Sequence, residues 1–435
     1  MPQVNQLNAS LTKHLDRRKA RDMFRSLTLV PPGTADFSSN AYLSLSAQPS
    51  VKQTFLSRLQ DAAHANTPSL LGSGGSRLLD GNSPKAEALE KTLAAFHSAP
   101  ASLLFNSAMD ANVGLFSCVP QPDDVVLYDE LVHASIHDGM RLSRAAEKLS
   151  FAHNTVWSTE ETVEHGKGKP ESLETVLVGL LSRPGGHLFK SGERNVFISV
   201  EGVYSMDGDV CPLKDITNCV ERWLPKGNGL VIVDEAHSLG VFGERGQGLV
   251  SELGLEDRVW ARVMGFGKAM GCSGGLILCS DITRSYLINY ARTLIYTTAM
   301  ALPSLISIEV AYEFMMSGGA EPLVHRLRNL VKNAHCLLME MYERLKPPSH
   351  LLRVSLVEPK SSIIPVFTDH PRSLAGHCQQ NGFMVRPIVS PTVPKGTERI
   401  RLCLHAANTV DEAVGIVSAI ESWVVSQMNV SKSRL

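Results

Sequence analysis

Between residues 41 and 310, short continuous apolar runs alternate with longer segments of helical periodicity. The runs Val125–Tyr128, Val196–Val200, Leu230–Val233 and Leu276–Cys279 are apolar at successive positions. Strands buried on both faces have that texture. Among the helical segments, Ala86, Leu89, Leu93 and Phe96 share one face behind Ser83-Pro84. Serine there is a helix cap, and proline suits the first helical position. Strands separated by helices predict an α/β domain with a mostly parallel central sheet and helices on both faces. Residues 155–193 predict surface loops around one helix, Leu173–Leu181. Beyond residue 310 the pattern changes. A long helix is predicted over 320–345, with strands at Ile363–Phe367, Phe383–Arg386 and Arg399–Leu404. A last helix starts at the capping box Thr409–Glu412, and its apolar positions Val410, Ala413, Val414, Val417, Ile420 and Val424 make one stripe. The expected organisation is an arm over 1–45, a large domain over 46–310 and a small α+β domain over 311–435.

Composition narrows the function. The chain has 435 residues, enough for two or three domains. Hydrophobic residues make up 43% and charged residues 20%, which excludes a disordered or fibrous chain. Forty-two Lys+Arg against 43 Asp+Glu leave no basic excess for nucleic acid. No apolar run reaches the ~18 residues of a membrane span. The eight cysteines form no CxxC pair or metal-ligand spacing, and read as reduced, buried thiols. Residues 11–27 read as a basic amphipathic helix. Asp16 and Asp22 argue against a mitochondrial presequence and favour a docking arm. The terminal Ser433-Arg434-Leu435 is close to the Ser-Lys-Leu peroxisomal address, which implies an import receptor as partner and a peroxisomal location.

The sharpest chemical signal is Leu230-Val-Ile-Val-Asp234-Glu-Ala-His237: an apolar strand ends in an acid, with a histidine three residues on. Ligands in α/β sheets sit at the carboxyl ends of strands. A second strand-like segment ends in Gly265-Phe-Gly267-Lys268, and Glu201–Asp209 follows another strand. A strand-end acid, a nearby histidine and a lysine are the set that pyridoxal phosphate needs. The lysine forms a Schiff base with its aldehyde, and the acid keeps the ring nitrogen protonated as an electron sink. Taken singly, each piece has a plainer reading: Asp234 as a helix cap, Lys268 as a surface lysine, Gly72–Gly75 as a turn, His133 as a core histidine. Their joint occurrence in one order carries the inference.

The chain resembles the α-oxoamine synthases, which are fold-type I pyridoxal-phosphate enzymes. The resemblance covers roughly residues 10–425. It runs through Asp36-Phe-Ser-Ser-Asn40-Ala-Tyr42-Leu, Gly72–Asn82, Leu103–Asn112, His133-Ala-Ser135, Phe151–Asn154, Ser205–Asp209, Asp234–His237, Gly267-Lys268, Thr392–Pro394 and Arg399–Arg401. Within the family, residues 74–82 and 390–397 resemble the biotin-pathway branch. That implies condensation of L-alanine with pimeloyl-CoA to 8-amino-7-oxononanoate, CoA and carbon dioxide. Other members use other acyl-CoA donors or amino acids, as in sphingoid-base or aminolevulinate synthesis, and some are non-catalytic subunits that lack the lysine.

The resemblance implies that Lys268 holds the cofactor and serves as base and acid. Asp234 would pair with the pyridinium, His237 with the phenolic oxygen, and His133 would stack on the ring, with Ser205 near His237. Backbone amides of Ala108 and Met109 would take the phosphate. The family often has a hydroxyl residue three positions before the lysine; here that residue is Gly265. Thr297 and Thr298 match hydroxyls that come from the other subunit of a homodimer. Arg401 would bind the amino-acid carboxylate, with Asn40 also on the substrate side and Arg25 reaching the acyl group's distal carboxylate. His153 would polarise the thioester oxygen.

Overall fold

The computed structural model describes residues 5–21, 23–65, 67, 70–158 and 170–432. They group into two compact units, 1–34 and 35–435. The first unit carries a helix, Gln6–Ala20, capped by the Asn5 side chain on the Asn8 amide at 2.8 Å. The helix expected over 11–27 therefore starts earlier and stops earlier. Past it, Val30 precedes Pro31, which pushes a residue out of the helical region. Leu7, Leu11 and Leu15 are exposed on the helix.

The second unit contains strands β1 (Ala35–Asp36), β2 (Ala101–Phe105), β3 (Val125–Asp129), β4 (Glu147–Phe151), β5 (Val196–Glu201), β6 (Gly229–Asp234), β7 (Ala261–Gly265), β8 (Gly275–Cys279), β9 (Arg353–Val354), β10 (Ile363–Phe367), β11 (Phe383–Met384), β12 (Arg386–Ile388) and β13 (Arg399–Cys403). Seven of them form the central sheet in the order β2-β8-β7-β6-β5-β3-β4. Only β8 runs against its neighbours. The continuous apolar runs are explained by burial on both faces. Val126, Phe197, Ile232 and Val263 enter one core, while Val125, Leu127, Ile198, Val231 and Val233 enter the other. A mostly parallel central sheet with helices packed on it is the α/β architecture that the strand runs predict. The β12-β13-β10-β9 sheet of the C-terminal region is antiparallel.

β1 pairs in parallel with β11, so the chain just after residue 34 is stitched to the C-terminal region. The amide of Cys403 donates to Phe37 O at 2.9 Å, and that of Ala406 to Tyr42 O at 2.7 Å. The first compact boundary thus falls before β1, and both sheets share the second unit. Helix Ser83-capped Pro84–Phe96 buries Ala86, Leu89 and Leu93, as its spacing predicts. The expected loop region 155–193 holds helices Leu173–Ser182 and His187–Ser191; its residues 159–169 lie outside the described residues. All eight cysteines are free. Cys336 is exposed and Cys272 half-buried, so the expectation of uniformly buried thiols fails at these two. Among the described residues, no helix is long and apolar enough to cross a membrane.

Candidate active site

The site forms where β5, β6 and β7 end. Asp234 is the last residue of β6 and is 6% exposed. Its Oδ1 accepts from the Ala236 amide at 2.9 Å and its Oδ2 from Asn112 Nδ2 at 2.7 Å. Asn112 lies on helix Ala108–Cys118 and also donates to Ser135 Oγ at 3.0 Å. Two neutral donors thus aim the carboxylate without neutralising it. Glu235, next in sequence, faces away from this use. Its buried carboxylate accepts from Ser238 Oγ and from the Leu249 and Val250 amides, which fixes the turn carrying His237.

His237 is buried, and its Nδ1 meets Tyr42 Oη at 2.6 Å. Burial, together with Lys268, Arg401 and His133, holds the imidazole well below its usual pKa. Burial also pushes the Tyr42 hydroxyl well up. Both groups are therefore neutral. The hydroxyl also lies 3.3 Å from Asn40 Oδ1, so the direction of the Tyr42–His237 bond follows the tautomer of His237.

Lys268 follows β7 in a turn closed by the Gly271 amide on Lys268 O at 2.9 Å. Burial lowers its ammonium pKa, while Asp234 and Glu201 work the other way. A desolvated lysine is more easily neutral and nucleophilic. Glu201 ends β5 in register with Asp234. It is buried with Oε1 unpartnered, and burial plus Asp234 push its pKa well up. His133 caps helix Ala134–Leu142, its Nδ1 accepting from the Ser135 amide at 3.2 Å. Burial lowers its pKa, with Asp234 acting to raise it and Lys268 to lower it.

Helix Ala108–Cys118 points its N-terminus into the site. Ser107 caps it through the Asp110 amide at 3.0 Å, leaving the amides of Ala108 and Met109 for an anion. β8 passes so close that a Cβ on Gly275 would lie 2.6 Å from Ala108 N. A Cβ on Gly265 would lie 2.7 Å from the Ala236 Cβ and 3.3 Å from the Ala108 Cβ. A hydroxyl side chain at 265 has no room unless its neighbours shift. A nucleophilic lysine, a buried strand-end carboxylate, a neutral histidine and helix-end amides together fit pyridoxal phosphate.

Arg401 on β13 donates Nη1 to Ser205 O at 2.8 Å and Nη2 to Asn40 Oδ1 at 3.1 Å. Ser205 thus contributes its carbonyl here. Asn40 is placed by the Asp36 carboxylate, which accepts from the Ser38 and Ser39 amides at 2.8 and 3.0 Å. Thr297 and Thr298 sit on a segment tied down by Asn106, whose Nδ2 donates to Thr298 O at 2.7 Å, and by the Ala299 amide on Gly75 O at 2.8 Å. Arg25 is exposed in the separate N-terminal unit.

His153 departs from expectation. Its Nδ1 lies 2.9 Å from Asp129 Oδ1 and its Nε2 2.6 Å from Asp209 Oδ2. Both ring nitrogens are engaged by carboxylates, so neither N–H is left for a thioester oxygen. Burial opposes the charged form, but the two aspartates outweigh it and push the pKa to about 10.

Tyr42, Asn112, Glu201 and the Asp129–Asp209 pair carry no role in the sequence reading. Tyr42 and Asn112 lie inside matched motifs, but only the fold brings them to His237 and Asp234.

Residues 33–418 match the model of the aminotransferase class I and II family. The chain belongs to that family, in its α-oxoamine synthase branch. It is 46% identical over 432 residues to 8-amino-7-oxononanoate synthase of Emericella nidulans, covering 99% of this chain and 98% of the relative. It is also 35% identical to the aminoacyl transferase sphA of Aspergillus fumigatus, over 94% of this chain and 86% of the relative. In fold it is similar to a serine palmitoyltransferase of S. paucimobilis with bound PLP–myriocin: TM-score 0.77, 23% identity, 97% of this chain and 100% of the other. This α-oxoamine synthase is a pyridoxal-phosphate-dependent acyltransferase.

Proposed function

We propose that this α-oxoamine synthase condenses L-alanine with pimeloyl-CoA to give 8-amino-7-oxononanoate, CoA and carbon dioxide. The observation that carries the reading is the 46% identity to a named 8-amino-7-oxononanoate synthase along almost the whole length of both chains.

The residues divide the work accordingly. Lys268 anchors the cofactor, then takes a proton from the amino-acid Cα and returns one to the product. Asp234, aimed by Asn112 and the Ala236 amide, holds the proton on the ring nitrogen. When bound, pyridoxal phosphate supplies an electron sink for the substrate carbanion. His237 offers Nε2–H to the phenolic oxygen, and His133 covers the ring. The Ala108 and Met109 amides bind the phosphate. Arg401, oriented by Ser205 O and Asn40, forms a fork for the alanine carboxylate. We assign Thr297 and Thr298 to the site of a second copy in a homodimer. Tyr296, next to Thr297, is 71% exposed in the single chain, which leaves it free to meet a second copy. Arg25 is assigned to the distal carboxylate of the acyl group. The tail Ser433-Arg434-Leu435, outside the described residues, is proposed as a peroxisomal address.

A second reading, another acyl donor, is favoured by the similarity to sphA. Offering pimeloyl-, palmitoyl-, succinyl- and acetyl-CoA in parallel with L-alanine, and detecting products by mass spectrometry, separates the two. Strong preference for pimeloyl-CoA supports the first; turnover only with another donor replaces it. Mass measurement in solution tests the dimer, and Lys268→Ala mixed with Thr297→Ala should regain activity in hybrids. A fluorescent fusion lacking 433–435 should leave peroxisomes; unchanged location refutes the address.

A further inference from the structure

The mechanism above leaves His153 without a chemical task, although it is among the most tightly held side chains near the site. Asp129 ends β3 with its side chain fully buried. Its carboxylate takes His153 Nδ1 at 2.9 and 3.1 Å and the Asn154 amide at 2.8 Å. On the other side of the ring, Asp209 Oδ2 takes Nε2 at 2.6 Å and Asn154 Nδ2 at 2.5 Å. A neutral imidazole has one N–H, so bridging two carboxylates requires both protons. The ring also stands edge-on to Tyr204, with centroids 4.4 Å apart at 86°.

Tyr204 and Asp209 are the two ends of one turn. The Tyr204 amide donates to Asp209 O at 3.0 Å, and the Gly208 amide to Tyr204 O at 2.8 Å. Between these ends, Ser205 O accepts from Arg401 Nη1 at 2.8 Å, and the Asp207 carboxylate pairs with Arg399. Arg399 and Arg401 are alternate residues of β13. The turn is therefore the bracket that joins the central sheet to the arginines of the small sheet.

We propose that His153 is a positioning residue whose two ring nitrogens clasp the Tyr204–Asp209 turn to the end of β3, and so set the Ser205 carbonyl that orients Arg401 for the substrate carboxylate. This rests on the role proposed above for Arg401. Removing the clasp leaves the cofactor pocket intact but frees the turn, so the defect falls on amino-acid binding rather than on the chemical step.

The test uses the full-length holoenzyme. His153→Gln and Asp209→Asn are each made, the second keeping the ring but weakening its bond. L-Alanine affinity is read from the change in cofactor absorbance on titration, and KM and kcat are measured separately. Each variant should weaken L-alanine binding and raise its KM by about tenfold, with kcat within about threefold and the resting absorbance unchanged. The double variant should fall short of the product of the two single effects, because both break one bridge. Arg401→Lys is the control on the underlying reading. If Arg401→Lys leaves L-alanine binding unchanged, the role of Arg401 fails and the inference with it. If Arg401→Lys weakens binding while His153→Gln does not, the inference alone is overturned. A fall in kcat at unchanged KM in His153→Gln overturns it too, since that is the signature of a group acting in the chemistry. Asp209→Asn, the milder change, answers the same question should His153→Gln not fold.

Discussion

The Tyr42 hydroxyl and His237 Nδ1 share a hydrogen bond of 2.6 Å, and both residues are buried. The two are 195 positions apart. This one bond couples the Tyr42 hydroxyl to the tautomer of His237, and so to whether Nε2 can face the cofactor as a donor. Tyr42→Phe keeps the shape but strands the buried His237 Nδ1 without its partner, a loss of about 1–3 kcal/mol. Urea unfolding should register that loss. Activity should fall by about tenfold or more, because the wrong tautomer becomes accessible. Wild-type turnover in Tyr42→Phe would show that the tautomer does not matter.

Lys268 and Asp234 have separable failures. Lys268→Ala should lack the visible absorbance of lysine-bound cofactor; a retained band would mean that another residue holds it. Asp234→Asn should bind the cofactor weakly and lose most turnover. Asn112→Ala removes the Asn112 donor from the Asp234 carboxylate and should give a milder version of the same defect. Its measure is the cofactor dissociation constant.

Glu90 concerns stability rather than chemistry. It is 3% exposed and pairs with Arg77 and with Arg284 Nη2 at 2.8 Å, while also accepting from the Leu104 amide at 2.8 Å. Removing one member of such a buried group costs about 3–5 kcal/mol. Glu90→Ala should therefore lower the thermal midpoint and loosen the Gly72–Asn82 loop, which Arg77 anchors. Increased protease cleavage in that loop is the local readout.

The raised pKa of His153 sets a pH window. The ordinary value is 6.5, and in the folded protein Asp129 and Asp209 bring it to about 10. Glu130 also lies close, through its Oε1 on the His153 amide at 3.1 Å. Across this window the folded state binds the proton that the unfolded chain has lost, so stability falls as pH rises. The stability difference between wild type and His153→Gln should be largest below pH 6.5 and shrink steadily up to about pH 10. A difference that stays flat over that range would mean that the ring is neutral in the clasp.

Much of the fold was legible because burial on both faces leaves a continuous apolar record. Val196–Val200 and Leu230–Val233 are extended by one residue at each end or less in the structure. β4 was not legible: Glu147-Lys-Leu-Ser-Phe lies at the sheet edge, half exposed, and so kept polar residues. The arm helix was displaced because basic residues at helical spacing do not mark where a cap or a proline stops the chain.

The order of Asp234, His237 and Lys268 along the chain pointed by itself to the cofactor, and the alternation of apolar runs with helical periodicity to an α/β fold with a mostly parallel sheet. Local sequence suffices there, since each group stands within a few residues of a strand end. The tertiary structure alone decided the partners. It gave Tyr42 to His237, Asn112 to Asp234, Ser205 O to Arg401, and both nitrogens of His153 to aspartates. Those contacts join distant segments, and a histidine free to donate looks the same in a sequence as one already held on both sides.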